Sequence, residues 1–317
     1  MQRICVIGGS RYFGESLVRR LRDAGHRVTV LNRGSAAPPP GVGHLVADRD
    51  DEAALTAALG SRAFDTVVDQ VCYTPVQAAT AARAFTGRTR RYVMTSTIEV
   101  YDPGSAPPSA ALSEAAPGAL VSEEAVDPAA WPVRAGLPWH DAGYLEAHYA
   151  EGKRQAEAVL ARHGAFAFAA VRGAHVLGGG ARDFTGRLAH YVERVRAGAE
   201  IAVHAAPRPT VFVHHEELAR LLSWAAAESD VEGPLNACSD GPLDVRELVA
   251  AVAAEVGRAP RFREVAPGEP ASPYSFDRSY PMSNARARQL GFALSRTSDW
   301  LPGAVAEAVA ATRTAAS

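Results

Sequence analysis

The 317-residue chain is predicted to fold as an α/β protein, a doubly wound parallel sheet with a small C-terminal lobe. Three observations carry that expectation. Short β-branched runs alternate with amphipathic helical stretches through the first half, the pattern of βαβ units. A glycine-rich turn, Gly8-Gly9-Ser10-Arg11-Tyr12-Phe13-Gly14, joins the first apolar run to the first helical one. Hydrophobic residues make up 47% and charged residues 21%, which is enough apolar surface for one large domain and a lobe.

Taken in order, strands are expected at residues 4–7, 28–31, 45–47, 66–71 and 92–95. Helices at 14–24, 52–59 and 75–85 lie between them. Leu17, Val18 and Leu21 fall at helical spacing and would cover the sheet. Pro75 suits the first turn of a helix. From 102 to 141 the chain is rich in Ala, Pro, Gly and acidic residues without a period, and reads as a lid over the site or a solvated insertion. The pattern resumes with a helix at about 144–163, a strand at 166–171 and a helix near 184–196. Residues 211–213 and a helix at 216–227 look like a return to the sheet. A strand at 235–237, a helix at 245–256 and helical runs near 285–290 and 299–310 complete the chain. The expected division is a dinucleotide-binding domain at 1–172, rejoined by about 205–230. Residues 173–204 and 231–317 would then be mainly a substrate lobe.

The formal net charge of −2 gives no basic excess for a nucleic-acid partner. Cys5, Cys72 and Cys238 are far apart, so neither a disulfide framework nor a zinc spacing is expected. His214-His215-Glu216-Glu217 lacks the spacing of a helical metal motif and reads as a helix start. No apolar run has bilayer length. The chain opens directly into a buried strand, so a cytoplasmic setting without an export leader is the expectation.

The glycine turn has a specific physical use. Glycines permit a tight turn and close backbone approach to a pyrophosphate, and the following helix N-terminus offers unpaired N–H groups. Gly8, Gly9, Ser10, Arg11, Tyr12, Phe13 and Gly14 are therefore candidate cofactor ligands, with Arg11 in a position that is often glycine. After the second strand an acid would select NAD through the ribose 2′-OH. This chain instead reads Leu31-Asn32-Arg33-Gly34. Arg33 with Arg11 could clamp a 2′-phosphate, favouring NADP over NAD, while Asn32 could still bond a ribose. Asp48 is placed either to meet the adenine amino group or to cap a loop.

Tyr149-Ala150-Glu151-Gly152-Lys153 puts a phenol and an ammonium four apart on one helix face. A nearby ammonium favours the phenolate and lowers a tyrosine pKa from about 10 toward the working pH. Such a tyrosine can exchange a proton with an alcohol while a cofactor exchanges hydride. Of the 33 basic side chains, Lys153 is the one lysine and the rest are arginine. Arginine's rigid fork matches two ribose hydroxyls poorly, so that position resisted the chain's arginine bias for a chemical reason.

These residues resemble the extended (atypical) short-chain dehydrogenase/reductase family, of the NAD-dependent epimerase/dehydratase type. Gly8-Gly9 with Gly14 is similar to its opening motif. The run 92–101 is similar to its fifth strand, in which Thr97 takes the place of the Ser or Thr that works with the catalytic tyrosine. Tyr149 and Lys153 match its catalytic helix, and 171–175 matches the segment that enters the substrate site. The similarity extends over nearly the whole chain and includes a closing Asp299-Trp300-Leu301. It implies a Rossmann sheet with a small C-terminal substrate lobe, and pairing through a four-helix interface as a homodimer. Family dehydratases carry Thr-Asp-Glu before Val-Tyr; Thr97-Ile98-Glu99 here lacks the acid and keeps the Glu, so dehydration is not expected. His175 stands where epimerases often have Asn, as a phosphate or sugar-hydroxyl ligand, an extra base, or a structural histidine.

The expected function is hydride transfer at a secondary alcohol or ketone carbon of a nucleotide-linked or phosphorylated sugar, epimerase-type. Tyr149 is acid/base, Lys153 its tuner and ribose ligand, Thr97 a partner of the reacting oxygen, and Glu99 and His175 substrate contacts. The alternatives are an NADPH-dependent ketoreductase that releases its cofactor each turnover, and a non-catalytic NAD(P) sensor or scaffold.

Overall fold

The computed structural model describes residues 1–107, 112–116, 118–266 and 268–314. In chain order its first elements are β1 (Arg3–Ile7), α1 (Tyr12–Asp23), β2 (Arg27–Asn32), β3 (Gly43–Val46), α2 (Glu52–Leu59), β4 (Thr66–Asp69), α3 (Pro75–Phe85) and β5 (Arg91–Thr97). Next come α4 (Ala142–Ala147), α5 (Tyr149–His163), β6 (Ala167–Gly173), β7 (His175–Leu177), α6 (Arg187–Ala197), β8 (Glu200–His204) and β9 (Phe212–His214). The chain continues through α7 (His215–Ala227), β10 (Gly233–Ala237), α8 (Val245–Val256), β11 (Arg261–Val265), α9 (Ala285–Gln289) and α10 (Thr297–Thr314).

Two compact units divide these elements. The first comprises 1–113, 122–173 and 216–237 and holds a seven-stranded sheet in the order β10-β6-β5-β4-β1-β2-β3, every pairing parallel. This is the Rossmann-type α/β fold expected from the sequence. Parallel strands covered on both faces read as unbroken apolar runs, and four residues of β1 and all of β4 are buried. Val6 lies between Val30 of β2 and Val68 of β4, which fixes the central register. Leu17, Val18 and Leu21 of α1 are fully buried, as their spacing predicts. Leu55, Leu59, Phe85 and Leu160 from α2, α3 and α5 join Val67, Tyr92 and Met94 in one apolar cluster. Thr74 caps α3 through the Gln77 N–H ahead of Pro75, and Asp51 caps α2 through Ala54 N–H.

The second unit comprises 114–121, 174–215 and 238–317. Its core joins Tyr191, Val192 and Val195 of α6, Val245, Leu248 and Val252 of α8, and Leu301, Val305 and Val309 of α10. Two short parallel pairs, β7 with β9 and β8 with β11, stand in this unit.

Three expectations change. Residues 211–213 do not return to the main sheet: β9 pairs with β7, and β10 is the strand that returns, beside β6. The helix expected over 144–163 breaks at His148, so α4 ends one residue before α5 begins. His148 leaves helical geometry while its ring stacks on Tyr144 at 4.0 Å, and its own carbonyl restarts the ladder by accepting from Gly152 N–H. Residues 122–141 are not a freely solvated insertion but pack in part against α5. Trp131 and Trp139 are buried, Trp131 Nε1 donates to Glu151 of α5, and Arg134 N–H donates to Gln155 Oε1. Of the rest of that segment, 108–111 and 117 lie outside the described residues. Of the His-His-Glu-Glu run, His214 ends β9 and His215, Glu216 and Glu217 start α7. Among the described residues no helix is long and apolar enough to cross a membrane.

Candidate active site

The C-terminal edge of the seven-stranded sheet gathers most of the expected residues. Between β1 and α1, Gly8 and Gly9 adopt φ of +90° and +75°, which a side chain would strain. A Cβ on Gly9 would stand 2.8 Å from Val6 Cγ1 and 3.0 Å from Val18 Cγ2. A Cβ on Gly14 would stand 2.2 Å from Gln70 Oε1 and 3.0 Å from Gly9 Cα. Tyr12 itself sits at φ +51°, uncommon for an aromatic residue, with its ring buried beside that of half-buried Phe13. Arg11, at the N-cap of α1, makes no capping hydrogen bond with its side chain. The turn thus presents backbone and a helix N-terminus, with Gln70 Nε2 buried and lacking a hydrogen-bond partner among the described residues. Those features fit the pyrophosphate of a dinucleotide.

Asn32 ties the end of β2 to this turn. Its Nδ2 donates to Ser10 Oγ at 2.8 Å and to Ala36 O at 2.9 Å, and its Oδ1 accepts from Gly34 N–H at 2.8 Å. His44 Nε2 lies 2.9 Å from the same Oδ1. Asn32 thus joins the end of β2 to Ser10 of the glycine turn. Arg11 and Arg33 are exposed, and among the described residues neither side chain has an ion-pair partner. One oxygen of Asp48 accepts from Asp50 N–H at 3.0 Å, the loop-cap role weighed for it.

Tyr149 is the first residue of α5 and is half-buried; Lys153, one turn later, is 2% exposed. Lys153 Nζ donates to Thr95 O of β5 at 2.9 Å, which locks helix to strand. Burial pushes its ammonium down from 10.5 to about 8, with Cys72, Asp69 and Glu157 partly opposing that and Arg49 adding to it. Nζ lies 5.9 Å from the centroid of the Tyr149 ring and 4.5 Å from that of Tyr73. Thr97 ends β5, and its Oγ1 accepts from Glu99 N–H at 3.2 Å, so its own proton remains to be donated elsewhere. Glu99 lies in the 3-10 turn Ile98–Tyr101 that follows.

Sequence reasoning missed the frame around α5. Glu157 is buried in a pair with Arg172 (2.6 Å) and accepts from Ser96 Oγ. Arg172 also donates to Tyr101 OH and to the carbonyls of Glu123 and Val126. Arg154 donates to the carbonyls of Val100 and Asp102. Tyr73 and Gly152 were missed too, although a glycine inside a helical pattern signals close backbone approach. A Cβ on Gly152 would stand 2.4 Å from Tyr73 O.

His175 belongs to the second unit. It is 6% exposed, stacks on Phe276 at 5.3 Å and lies near Phe212 and Tyr274. Burial, reinforced by Arg187, lowers its pKa to about 3, so the ring is neutral at pH 7. Among the described residues no group of three or more His, Cys, Asp or Glu is placed to hold a metal ion.

Comparison with known proteins joins this geometry to a family. Residues 4–121 match the family described as "NAD dependent epimerase/dehydratase family". The resemblance to extended short-chain dehydrogenase/reductases, and with it the expectation of an enzyme using a nicotinamide dinucleotide, is thus supported. The chain is 28% identical over 264 residues to a 2′-dehydrokanamycin reductase of Streptomyces kanamyceticus, covering 81% of this chain and 67% of that one. Its fold is similar to that of the UDP-glucose 4-epimerase of Thermus thermophilus solved with NAD (TM-score 0.72, 21% identity, 99% of each chain). It is also similar to the enzyme WbmH of Bordetella bronchiseptica solved with NAD+ (0.72, 19%, 99% of this chain and 98% of that one).

Proposed function

We propose that the protein interconverts a ketone and a secondary alcohol on a sugar ring, with NADP as the preferred cofactor and reduction as the working direction. The observation that carries this reading is Lys153: a buried ammonium, held on Thr95 O, one helical turn from Tyr149. Gly8, Gly9 and Gly14 would hold the pyrophosphate, Arg11 and Arg33 the 2′-phosphate, and Lys153 the nicotinamide ribose. When bound, the cofactor supplies the hydride. Tyr149 gives its hydroxyl proton to the carbonyl oxygen, and Lys153 stabilises the phenolate left behind. Thr97, already accepting from Glu99 N–H, keeps its proton and donates a hydrogen bond to the same oxygen. Ile98, an apolar residue, offers no acid for dehydration.

Support for reduction comes from Arg11 and Arg33, which have no ion-pair partner among the described residues and suit a cofactor phosphate, and from the likeness to a 2′-dehydrokanamycin reductase. The family match over 4–121 favours a second reading, epimerisation of a nucleotide-linked sugar with retained cofactor. Incubation with NADPH or NADH and a panel of nucleotide-linked, phosphorylated and free ketosugars separates them. The first reading predicts stoichiometric NADPH oxidation with one class and slower NADH oxidation. Inversion of a sugar stereocentre without net oxidation, with nicotinamide retained through purification, would establish the second.

A further inference from the structure

Tyr73 lies in the loop between β4 and α3, where its N–H donates to Gln77 Oε1 at 2.8 Å. Its ring centroid is 4.5 Å from Lys153 Nζ and 6.2 Å from the Tyr149 ring centroid. The approach is built in. Gly152 has no side chain, and a Cβ there would meet Tyr73 O at 2.4 Å and Trp139 Cζ3 at 3.2 Å. A glycine within a helix costs on the order of 1 kcal/mol against alanine. That expense is explained if close contact between α5 and Tyr73 matters.

The groups around Lys153 leave its charge poorly balanced. The Asp69 carboxylate is engaged by Arg49 at 2.7 Å and by Tyr92 OH at 2.6 Å. Glu157 is engaged by Arg172 and Ser96. The buried Cys72 thiol is pushed up to about 12 and stays neutral near pH 7. Arg49 adds a second positive charge. Beyond the single hydrogen bond to Thr95 O, the aromatic face of Tyr73 is the surface against which the ammonium sits. Ring faces carry the negative end of a quadrupole and attract a desolvated cation.

We propose that Tyr73 is a positioning residue whose ring face keeps the buried Lys153 ammonium charged and placed beside Tyr149. Its role is exerted through Lys153, and its hydroxyl is dispensable. The proposal rests on the Tyr149–Lys153 reading for its functional meaning, yet its test needs no turnover. Because the chain has one lysine, 13C-lysine labelling of the full-length protein gives a single side-chain signal to titrate by NMR. Tyr73→Phe keeps the ring and titrates with the wild type. Tyr73→Leu removes the ring, and the lysine titrates about one pH unit lower. Trifluorophenylalanine introduced at position 73 keeps the shape, drains the ring face and also lowers the titration, so a poorly folding leucine variant does not leave the question open. Coincident titration of the wild type and the fluorinated variant overturns the proposal, as does a Tyr73→Phe shift as large as that of Tyr73→Leu. Failure of the oxidoreductase reading is seen separately, as turnover that survives Tyr149→Phe.

Discussion

Lys153 is a cation that the fold dehydrates, and the free-energy cost of doing so has a definite pH dependence. Its pKa falls from an ordinary 10.5 to about 8 on burial. Below pH 8 the side chain is charged in both folded and unfolded chains, and burial then destabilises the fold by about 3 kcal/mol. Between pH 8 and 10.5 the unfolded chain binds more protons, so this penalty fades as pH rises. Lys153→Met, apolar and similar in length, is therefore expected to raise stability by up to about 3 kcal/mol at pH 7 while abolishing turnover. Urea unfolding of the two proteins at pH 7 and pH 10 checks this, with a smaller difference at pH 10. At the opposite end of the cofactor site, Arg33→Ala should weaken NADPH binding about 10- to 100-fold and leave NADH binding nearly unchanged, measured by fluorescence titration. Equal losses for both cofactors would assign Arg33 another role.

At the scale of elements, α5 carries Tyr149 and Lys153, the pair the proposed chemistry needs, and it approaches the loop after β4 closely at Gly152. An ordinary Gly→Ala change inside a helix stabilises by about 1 kcal/mol. Gly152→Ala should instead destabilise by about 1–3 kcal/mol, because the new Cβ meets Tyr73 O at 2.4 Å. Thermal unfolding and steady-state kinetics of this variant read the lost stability and activity together. The strands and helices around the glycine turn were legible because local signals agree there: apolar runs, Pro75 at a helix start, and glycines where φ must be positive. The break at His148 was not legible, since a stacked histidine ring leaves no periodic trace. Residues 122–141 misled for a related reason. Two tryptophans, Trp131 and Trp139, bury that segment through tertiary contacts that neither period nor composition reveals. Tyr149 and Lys153 were singled out by spacing and residue type and Thr97 by the family resemblance, whereas Tyr73 comes from a distant stretch of chain and required coordinates.

At the scale of the whole molecule, the two units differed in how readily they were read. The first repeats one βαβ grammar, so its strand order follows from parallel crossovers. The second combines two-strand parallel pairs with helices separated in sequence, and β9 was mistaken for a return to the main sheet because three apolar residues do not say which strand they join. Cofactor binding should register on the protein as a whole. At a hundredfold excess over Kd, NADPH is expected to add about 2.7 kcal/mol and raise Tm by about 5 °C, with NADH at the same concentration giving a smaller rise. Differential scanning fluorimetry reads both, and a larger rise with NADH would contradict the assignment of Arg11 and Arg33. The central claim, that Tyr149 is the acid–base of a hydride-transfer enzyme, is tested most directly by measuring ketosugar-dependent NADPH oxidation in Tyr149→Phe alongside NADPH affinity. The expected result is a fall in kcat of about 100-fold or more with Kd for NADPH unchanged. Turnover equal to that of the wild type in a variant that still binds NADPH would contradict it.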